Sequence, residues 1–377
     1  MTVTLLLGVK IMSTSEVQVG SAVSRPGSNS YGTIRVLDLP TGGHEEIPVI
    51  IVQGNEPGPI VWVTANIHGG ELTGIASVHQ LLRRDLATEL RGTLIVLPTI
   101  NPAGLQVMQR YPYYEPKDPN RVWPGYKNPK SNGVPPSVYQ QVAMQIFDAI
   151  VATNPACVLD LHNASIDSVP FTIRDRVLYP PEASVIELNR ANELAEKLDW
   201  LARAFGLSIV NESPAAKYVE LALHRSVAGS IVNTAGIPSL TLELGMGMAI
   251  DPPAVEAGTM GILNVLRAYE MIDGVPDPIT SVPVVDLGFQ VRRDDSARAP
   301  VSGILQSVVQ PGQPFTSGDL LGRIVDIYGR TIDGGDISAS ADGWLIGWSN
   351  GIAKYRGQPV ASLAVRDEEP LTGPQPE

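Results

Sequence analysis

A single cysteine, Cys157, in 377 residues excludes an internal disulfide and fits a reducing compartment. It sits in an apolar run, where a buried, inert thiol is the expected state. Cations are few: 27 Lys and Arg stand against 39 Asp and Glu, a net charge of −12, and they form no block. Nucleic-acid binding is therefore not expected, because neutralising phosphates takes clustered cations. An anionic small molecule is not excluded, since a few arginines can reverse the sign inside a cleft. No stretch approaches the roughly 18 apolar residues of a membrane span. The short apolar run Thr4–Val9 has no preceding cation and no small-residue cleavage site after it. A signal peptide is not expected, and the expected location is cytoplasmic. Phosphate-loop and dinucleotide fingerprints are absent, as is a nucleophile-elbow serine.

What is present describes an ordinary globular chain, 44% hydrophobic and 18% charged, long enough for two domains or one large one. Its 36 Gly and 32 Pro are dispersed, as punctuation between short elements. Residues 12–60 read as hairpins leading into the fold. Ile60–Ala65, Thr93–Thr99, Ala156–Leu161 and Ser239–Leu244 are apolar runs of strand length. Helical spacing predicts helices over Thr73–Leu86, Val138–Thr153, Glu187–Phe205, Ser226–Ala235 and Val255–Ile272. This alternation implies an α/β domain with a largely parallel sheet over residues 1–285. Beyond it, turn signals such as Pro311-Gly312 and Asp342-Gly343 recur without a helical pattern, so 286–368 are expected to form a small all-β domain. The polar, proline-rich residues 369–377 are expected to be a disordered tail.

The chemistry-bearing residues fall at the ends of the expected strands. His68 and Glu71 follow the first apolar run across a Gly-Gly break, and His162 closes Asp160-Leu161-His162. Two His and one Glu form a ligand set that catalytic zinc uses, the fourth position being left to water. Glu243 interrupts the apolar strand Leu240–Leu244, a costly place for an acid unless it is paired or used. Beside a metal it would serve as general base and proton shuttle. Asn120-Arg121 suits a substrate carboxylate, and Arg110 could hold a developing oxyanion. Each taken alone has a bland alternative as a structural histidine or a surface arginine. His79 reads as structural and His44 as a turn residue. His224 is a lesser candidate for substrate contact. Arg174 and Arg176 could meet a second anion, although a surface salt-bridge cluster with Asp175 is favoured.

Taken together, the blocks resemble a known family. His68-Gly69-Gly70-Glu71, Asn101-Pro102-Ala103-Gly104, Asn120-Arg121-Val122-Trp123-Pro124-Gly125, Asp160-Leu161-His162 and Leu242-Glu243-Leu244-Gly245 are similar, in order and spacing, to those of the succinylglutamate desuccinylase/aspartoacylase family of zinc carboxypeptidase-like hydrolases. The resemblance spans residues 48–365. It implies a zinc carboxypeptidase-like sheet flanked by helices and followed by a small all-β domain. It also implies one Zn2+ per chain on His68, Glu71 and His162, with Glu243 as general base. Arg110 would lie on the scissile carbonyl, Asn120 and Arg121 on a substrate carboxylate. The resemblance also pairs Tyr355 with a tyrosine that the C-terminal domain lends to the site. Pro119 and Trp123 stand where the family usually has Leu and Phe, and Leu244-Gly245-Met246-Gly247 where many relatives carry Gly-Gly. These departures bear on the substrate, with Met246 a candidate for a more apolar pocket.

The expectation is thus a zinc amidohydrolase acting on a small N-acylated amino acid or related amide, as a possible homodimer. The all-β domain would narrow the cleft and exclude polypeptides. A zinc carboxypeptidase and a non-catalytic metal-binding relative are the alternatives.

Overall fold

The computed structural model describes residues 16–126 and 135–376. The apolar run at Thr4–Val9 and residues 12–15 of the expected hairpin region lie outside them. In chain order the first part contributes strands β1 (Ser28–Asp38), β2 (His44–Gln53), β3 (Glu56–Ala65), β4 (Arg91–Leu97), β5 (Cys157–Ala164), β6 (Phe171–Arg174), β7 (Ser208–Asn211) and β8 (Ser239–Met246). They lie side by side as β7-β6-β8-β5-β3-β4-β2-β1. The sheet is mixed. β3 is parallel to β4 and β5, β5 to β8, and β6 to β7, whereas β8–β6, β4–β2 and β2–β1 are antiparallel.

Helices α1 (Thr73–Leu81), α2 (Val138–Ala152), α3 (Val185–Phe205) and α4 (Pro252–Ala268) cover the sheet. Capping boxes start α2 (Ser137 with Gln140) and α3 (Ser184 with Glu187), and α4 starts at a proline pair. α1 stops short of Leu86, because Arg83-Arg84-Asp85 offers no apolar face to continue it. The segment expected as one helix over Ser226–Ala235 is a short α turn, Val227–Ser230, followed by a π turn, Ile231–Ala235.

Alternation along β5 separates structure from chemistry. Cys157, Leu159 and Leu161 enter the apolar cluster with α1, α3 and α4. Val158 enters the cluster on the opposite face with α2. Asp160 and His162 share that second face by the two-residue period of a strand. That face is therefore apolar at its base and polar at the carboxyl end, where ligands gather in open α/β sheets.

The C-terminal strands β9 (Val291–Asp294), β10 (Pro314–Phe315), β11 (Gly343–Trp348) and β12 (Ala361–Arg366) extend the same sheet beyond β7, in the order β10-β11-β12-β9. Gly303–Ser307, Leu320–Val325, Thr331–Ser338 and Ala353–Lys354 form a separate antiparallel sheet over its own apolar cluster. The tail departs from its expected disorder: Thr372–Pro374 pairs in parallel with Val177–Tyr179. Arg176, only 1% exposed, anchors it by donating to the Glu369 and Pro370 carbonyls and pairing with Asp367 at 2.9 Å. No helix among the described residues is long and apolar enough to cross a membrane.

Candidate active site

The turn after β3 is built to present His68 and Glu71. Asn66 adopts a left-handed backbone (φ 58°), which asparagine tolerates better than most residues. Its amide donates to the carbonyls of His68, Gly69 and Glu71, while Thr99 Oγ1 donates to its Oδ1 at 2.7 Å. Gly69 is required by close packing, since a Cβ there would lie 2.1 Å from the Gly104 carbonyl carbon. Nothing in the apolar pattern flags Asn66; only its place directly after a strand could have done so.

His68 and His162 meet over the Glu71 carboxylate. His68 Nδ1 lies 2.6 Å from Glu71 Oε1, and His162 Nδ1 lies 3.0 Å from Oε2. The ligand atoms of the three residues lie within 4.8 Å of one another, and all three residues are buried. Each distal ring nitrogen has its own carboxylate: His68 Nε2 lies 3.1 Å from Asp118 and His162 Nε2 lies 2.7 Å from Asp160. Thr64 donates to the other Asp160 oxygen at 2.7 Å. This suits a metal, because carboxylates at Nε2 hold the proton there and leave both Nδ1 lone pairs for an ion. Burial alone would raise the Glu71 carboxyl, but the two imidazoles outweigh it and hold it well below the usual carboxylate range. Burial opposes the charged form of His162 as well, yet Asp160 and Glu71 raise its pKa well above the ordinary imidazole value.

Glu243 sits opposite His162 in the β8–β5 register. Its Oε2 is buried without a protein partner among the described residues. Burial raises its pKa, and the nearby Glu71 adds to the rise against the pull of His162. Two carboxyls in one site are thereby pushed in opposite directions, the arrangement that separates a permanent anion from a proton carrier.

Asp118 ties the loop to the ligands. It accepts from Arg110 at 2.8 Å and from the Asn120 backbone at 2.9 Å, besides facing His68. Arg110 also comes within 3.7 Å of Glu71. Asn120 Oδ1 accepts from Val227 N–H, which fixes the amide and leaves its NH2 end as the donor side, and Arg121 donates to the Asn120 carbonyl.

His68, Glu71, His162, Glu243, Arg110, Asn120 and Arg121 all line one cavity of about 570 Å3. Tyr355 does not: it is 75% exposed on the C-terminal sheet side and contributes nothing to the lining. The C-terminal strands reach the cavity instead through Arg293, Ile346 and Ala361, with neighbouring loop residues. The methionine at the cavity is Met248, not Met246. His224 is buried between Tyr126 and Tyr218 and is not part of the lining. His79 is exposed on α1, and His44 lies at an exposed strand start. Arg174 and Arg176 are buried structural cations rather than a surface cluster, whereas Asp175 between them faces the cavity. Sequence reasoning missed Asp118, Asp160, Asp175, Glu212 and Arg293 as site residues. Asp118 and Asp160 were findable, since each lies within two residues of a named motif position.

Residues 57–269 match the succinylglutamate desuccinylase/aspartoacylase catalytic domain. The chain belongs to this family. It is 26% identical over 321 residues to the N-alpha-acetyl-L-2,4-diaminobutyric acid deacetylase of Halomonas elongata, covering 82% of this chain and 84% of that one. The fold is shared with a succinylglutamate desuccinylase/aspartoacylase of Rhodobacter sphaeroides (TM-score 0.68, 24% identity, 90% of this chain and 96% of that one). It is shared equally with the product-bound ectoine utilization protein EutE (DoeB) of Ruegeria pomeroyi (TM-score 0.69, 20% identity, 93% and 98% covered).

In this family member the carboxylates behind the histidines give a first testable expectation. Asp160→Asn is expected to weaken metal binding by about 10- to 100-fold, because an amide there no longer enforces the tautomer. Competition against a chelator of known affinity measures this; unchanged affinity would remove Asp160 from the site.

Proposed function

We propose that the protein is a zinc-dependent amidohydrolase that removes the acyl group from a small N-acylated amino acid. The observation that carries this is a buried His68–Glu71–His162 set beside Glu243, whose buried oxygen has no protein partner among the described residues, inside one cavity. The deacetylase similarity and the family membership favour an amide C–N bond as the target.

Bound on these three residues, one zinc per chain would lower the pKa of water and polarise a carbonyl, although cobalt or manganese suit the same donors. The remaining work falls to the chain. Glu243 takes a proton from the attacking water and delivers it to the departing amine nitrogen, for which a raised pKa is suited. Arg110 turns toward the carbonyl oxygen as negative charge grows there, its resting charge being balanced by Asp118. Arg121 and the NH2 end of Asn120 hold the substrate carboxylate and fix which amide reaches Glu243. The C-terminal strands wall the cavity and favour small substrates over polypeptides.

The test is metal analysis of the purified protein joined to a screen of N-acetyl, N-succinyl and N-formyl amino acids before and after chelation. About one zinc per chain and chelator-sensitive release of free amine are expected; protein without metal refutes the proposal. On the substrate found, Arg121→Ala is expected to raise KM by about 10- to 100-fold with a smaller change in kcat, the cost of losing charge-assisted bonds to a carboxylate. Steady-state kinetics checks this, and an unaltered KM would put the carboxylate elsewhere.

A further inference from the structure

Glu243 divides the cavity along the register of its own strand. Before it on β8, Thr241 lies opposite Ile173, and the β6 chain runs on from there to Asp175, near the Glu212–Arg293 pair. Arg121 belongs to this charged end: burial lowers its pKa, and besides Asp118 the charges acting on it include Arg293 and Glu212. Past Glu243 the character changes. Met246 lies opposite Ala164, which follows His162 by two residues and so shares its face of β5. Ala164 packs against the apolar cluster that contains Ile346, and both line the cavity. The turn after β8 then brings Met248 to the same wall.

Met248 is held from two sides. Its N–H donates to the Gly70 carbonyl at 2.8 Å, and the N–H of Gly247 before it donates to the Ala164 carbonyl at 3.2 Å. Gly70 lies between His68 and Glu71, and a Cβ on it would come within 2.3 Å of Met248 Sδ. The thioether therefore rests on bare backbone of the turn that carries both residues. Met248 itself has a left-handed backbone (φ 63°), uncommon for a side chain of this length, and such strain gathers at ligand clamps. Despite these restraints it is 60% exposed, so most of its surface is left to whatever enters the cavity.

This side offers an anion no counter-charge. Apart from the histidines, the basic side chains among the described lining residues are Arg110, Arg121 and Arg293. Arg110 is paired with Asp118, and the other two stand at the charged end. Lys354 does not line the cavity, and its ammonium donates to Ser349 Oγ at 2.7 Å and to the Asn350 carbonyl at 2.9 Å. A carboxylate held at Asn120 and Arg121, with the amide at Glu243, sends the acyl group toward Met248. An acetyl methyl covers little of that surface, whereas a longer alkyl chain covers more, and an unbranched thioether adapts its shape to one.

We propose that Met248 is a specificity-determining residue that receives the alkyl part of the acyl group. The acyl group is then uncharged, straight-chained and longer than acetyl, a propionyl or butyryl chain. The inference rests on the amidohydrolase reading for the reaction, but the apolar seat stands on Met248 itself.

The test compares Nα-acetyl, Nα-propionyl, Nα-butyryl and Nα-succinyl derivatives of alanine and of 2,4-diaminobutyrate on the zinc-loaded protein. On at least one of the two amino acids, butyryl is expected to exceed acetyl in kcat/KM by about 4- to 15-fold, the range from half to full burial of two methylenes. In Met248→Ser that ratio is expected to fall to about twofold or less, with the loss in KM, and Met248→Leu is expected to restore it. Calorimetric binding of acetate and butyrate to the same proteins reads the seat without turnover. Tighter binding of butyrate that depends on Met248, without hydrolysis of any acyl compound, would sink the reaction and leave the seat. Hydrolysis with acetyl equal to or above butyryl, or a chain-length preference that survives Met248→Ser, overturns the proposal and leaves the reaction. Preference for succinyl overturns it too, as does a Met248→Ser variant that alters the choice between alanine and diaminobutyrate but not between acyl groups.

Discussion

Glu243→Gln is expected to lower kcat by about 10^2- to 10^4-fold, the range for removing a positioned acid–base group, while metal content and KM stay close to those of the unaltered protein. Glutamine fills the same volume and keeps a carbonyl oxygen, so neither packing nor the β8–β5 register is disturbed. On the proposed mechanism, what disappears is the capacity to take a proton from water and return it to the amine. Metal content is expected to be unchanged because Glu243 is not one of the three residues clustered to hold an ion. The substitution also removes the carboxyl whose pKa burial and Glu71 together raise, which lowers the strain of two acids sharing one site. A small gain in thermal stability is expected alongside the lost turnover, since a neutral amide costs less to bury than an unpaired acid. Single-turnover rates and metal analysis on one preparation separate these effects. A kcat within tenfold of the original would assign the proton transfers to another group, Asp118 being the next carboxylate.

Much of this site was legible in the chain because the fold places it where periodicity changes. His68, His162 and Glu243 stand at the ends of apolar runs, and a strand that ends in a polar residue on one face advertises a site. Asn120, Arg121 and Arg110 gather on the same cavity because their loop is tied down by Asp118. The fold class followed from the same alternation, except for the antiparallel pairs, which include β8–β6 inside the sheet as well as β2–β1 at its edge. Antiparallel partners such as β1 and β2 carry the same apolar alternation as parallel ones, and direction is set by connections that no local pattern records. Asp175, Glu212 and Arg293 were hidden for a different reason. They are separated by long stretches of chain and become neighbours only through strand order, and Asp175 is flanked by two arginines that locally suggest a salt-bridge cluster. Those arginines pair elsewhere, with Asp199 and Asp367. Tyr355 shows the converse: its placement came from a resemblance in a region of turns, where a small register change swings a side chain from cavity to solvent.

Loss of either histidine is expected to abolish both metal binding and turnover, but the two losses should differ in their cost to the fold. Among the described residues, His162→Ala removes the cation paired with Asp160, whose side chain is 1% exposed and would keep the Thr64 hydroxyl as partner. It also takes from Glu71 one of its two imidazoles. Breaking a buried pair by deleting one partner costs about 3–5 kcal/mol, because the remaining charge stays in the interior. His68→Ala strands less. Asp118 keeps Arg110 at 2.8 Å and the Asn120 N–H, and its side chain is 22% exposed, so solvent and a guanidinium take up the loss. Under chelating conditions, where metal contributes to none of the proteins, His162→Ala should therefore unfold at a denaturant midpoint below that of His68→Ala. The expected gap is about 1–3 kcal/mol, the cost of one buried charged group left short of partners. Adding zinc should stabilise the unaltered protein alone, since binding to the native state raises stability only where the site is intact. If His68→Ala were the less stable variant, the Asp160 pair would not be the support on which the ligand set is built.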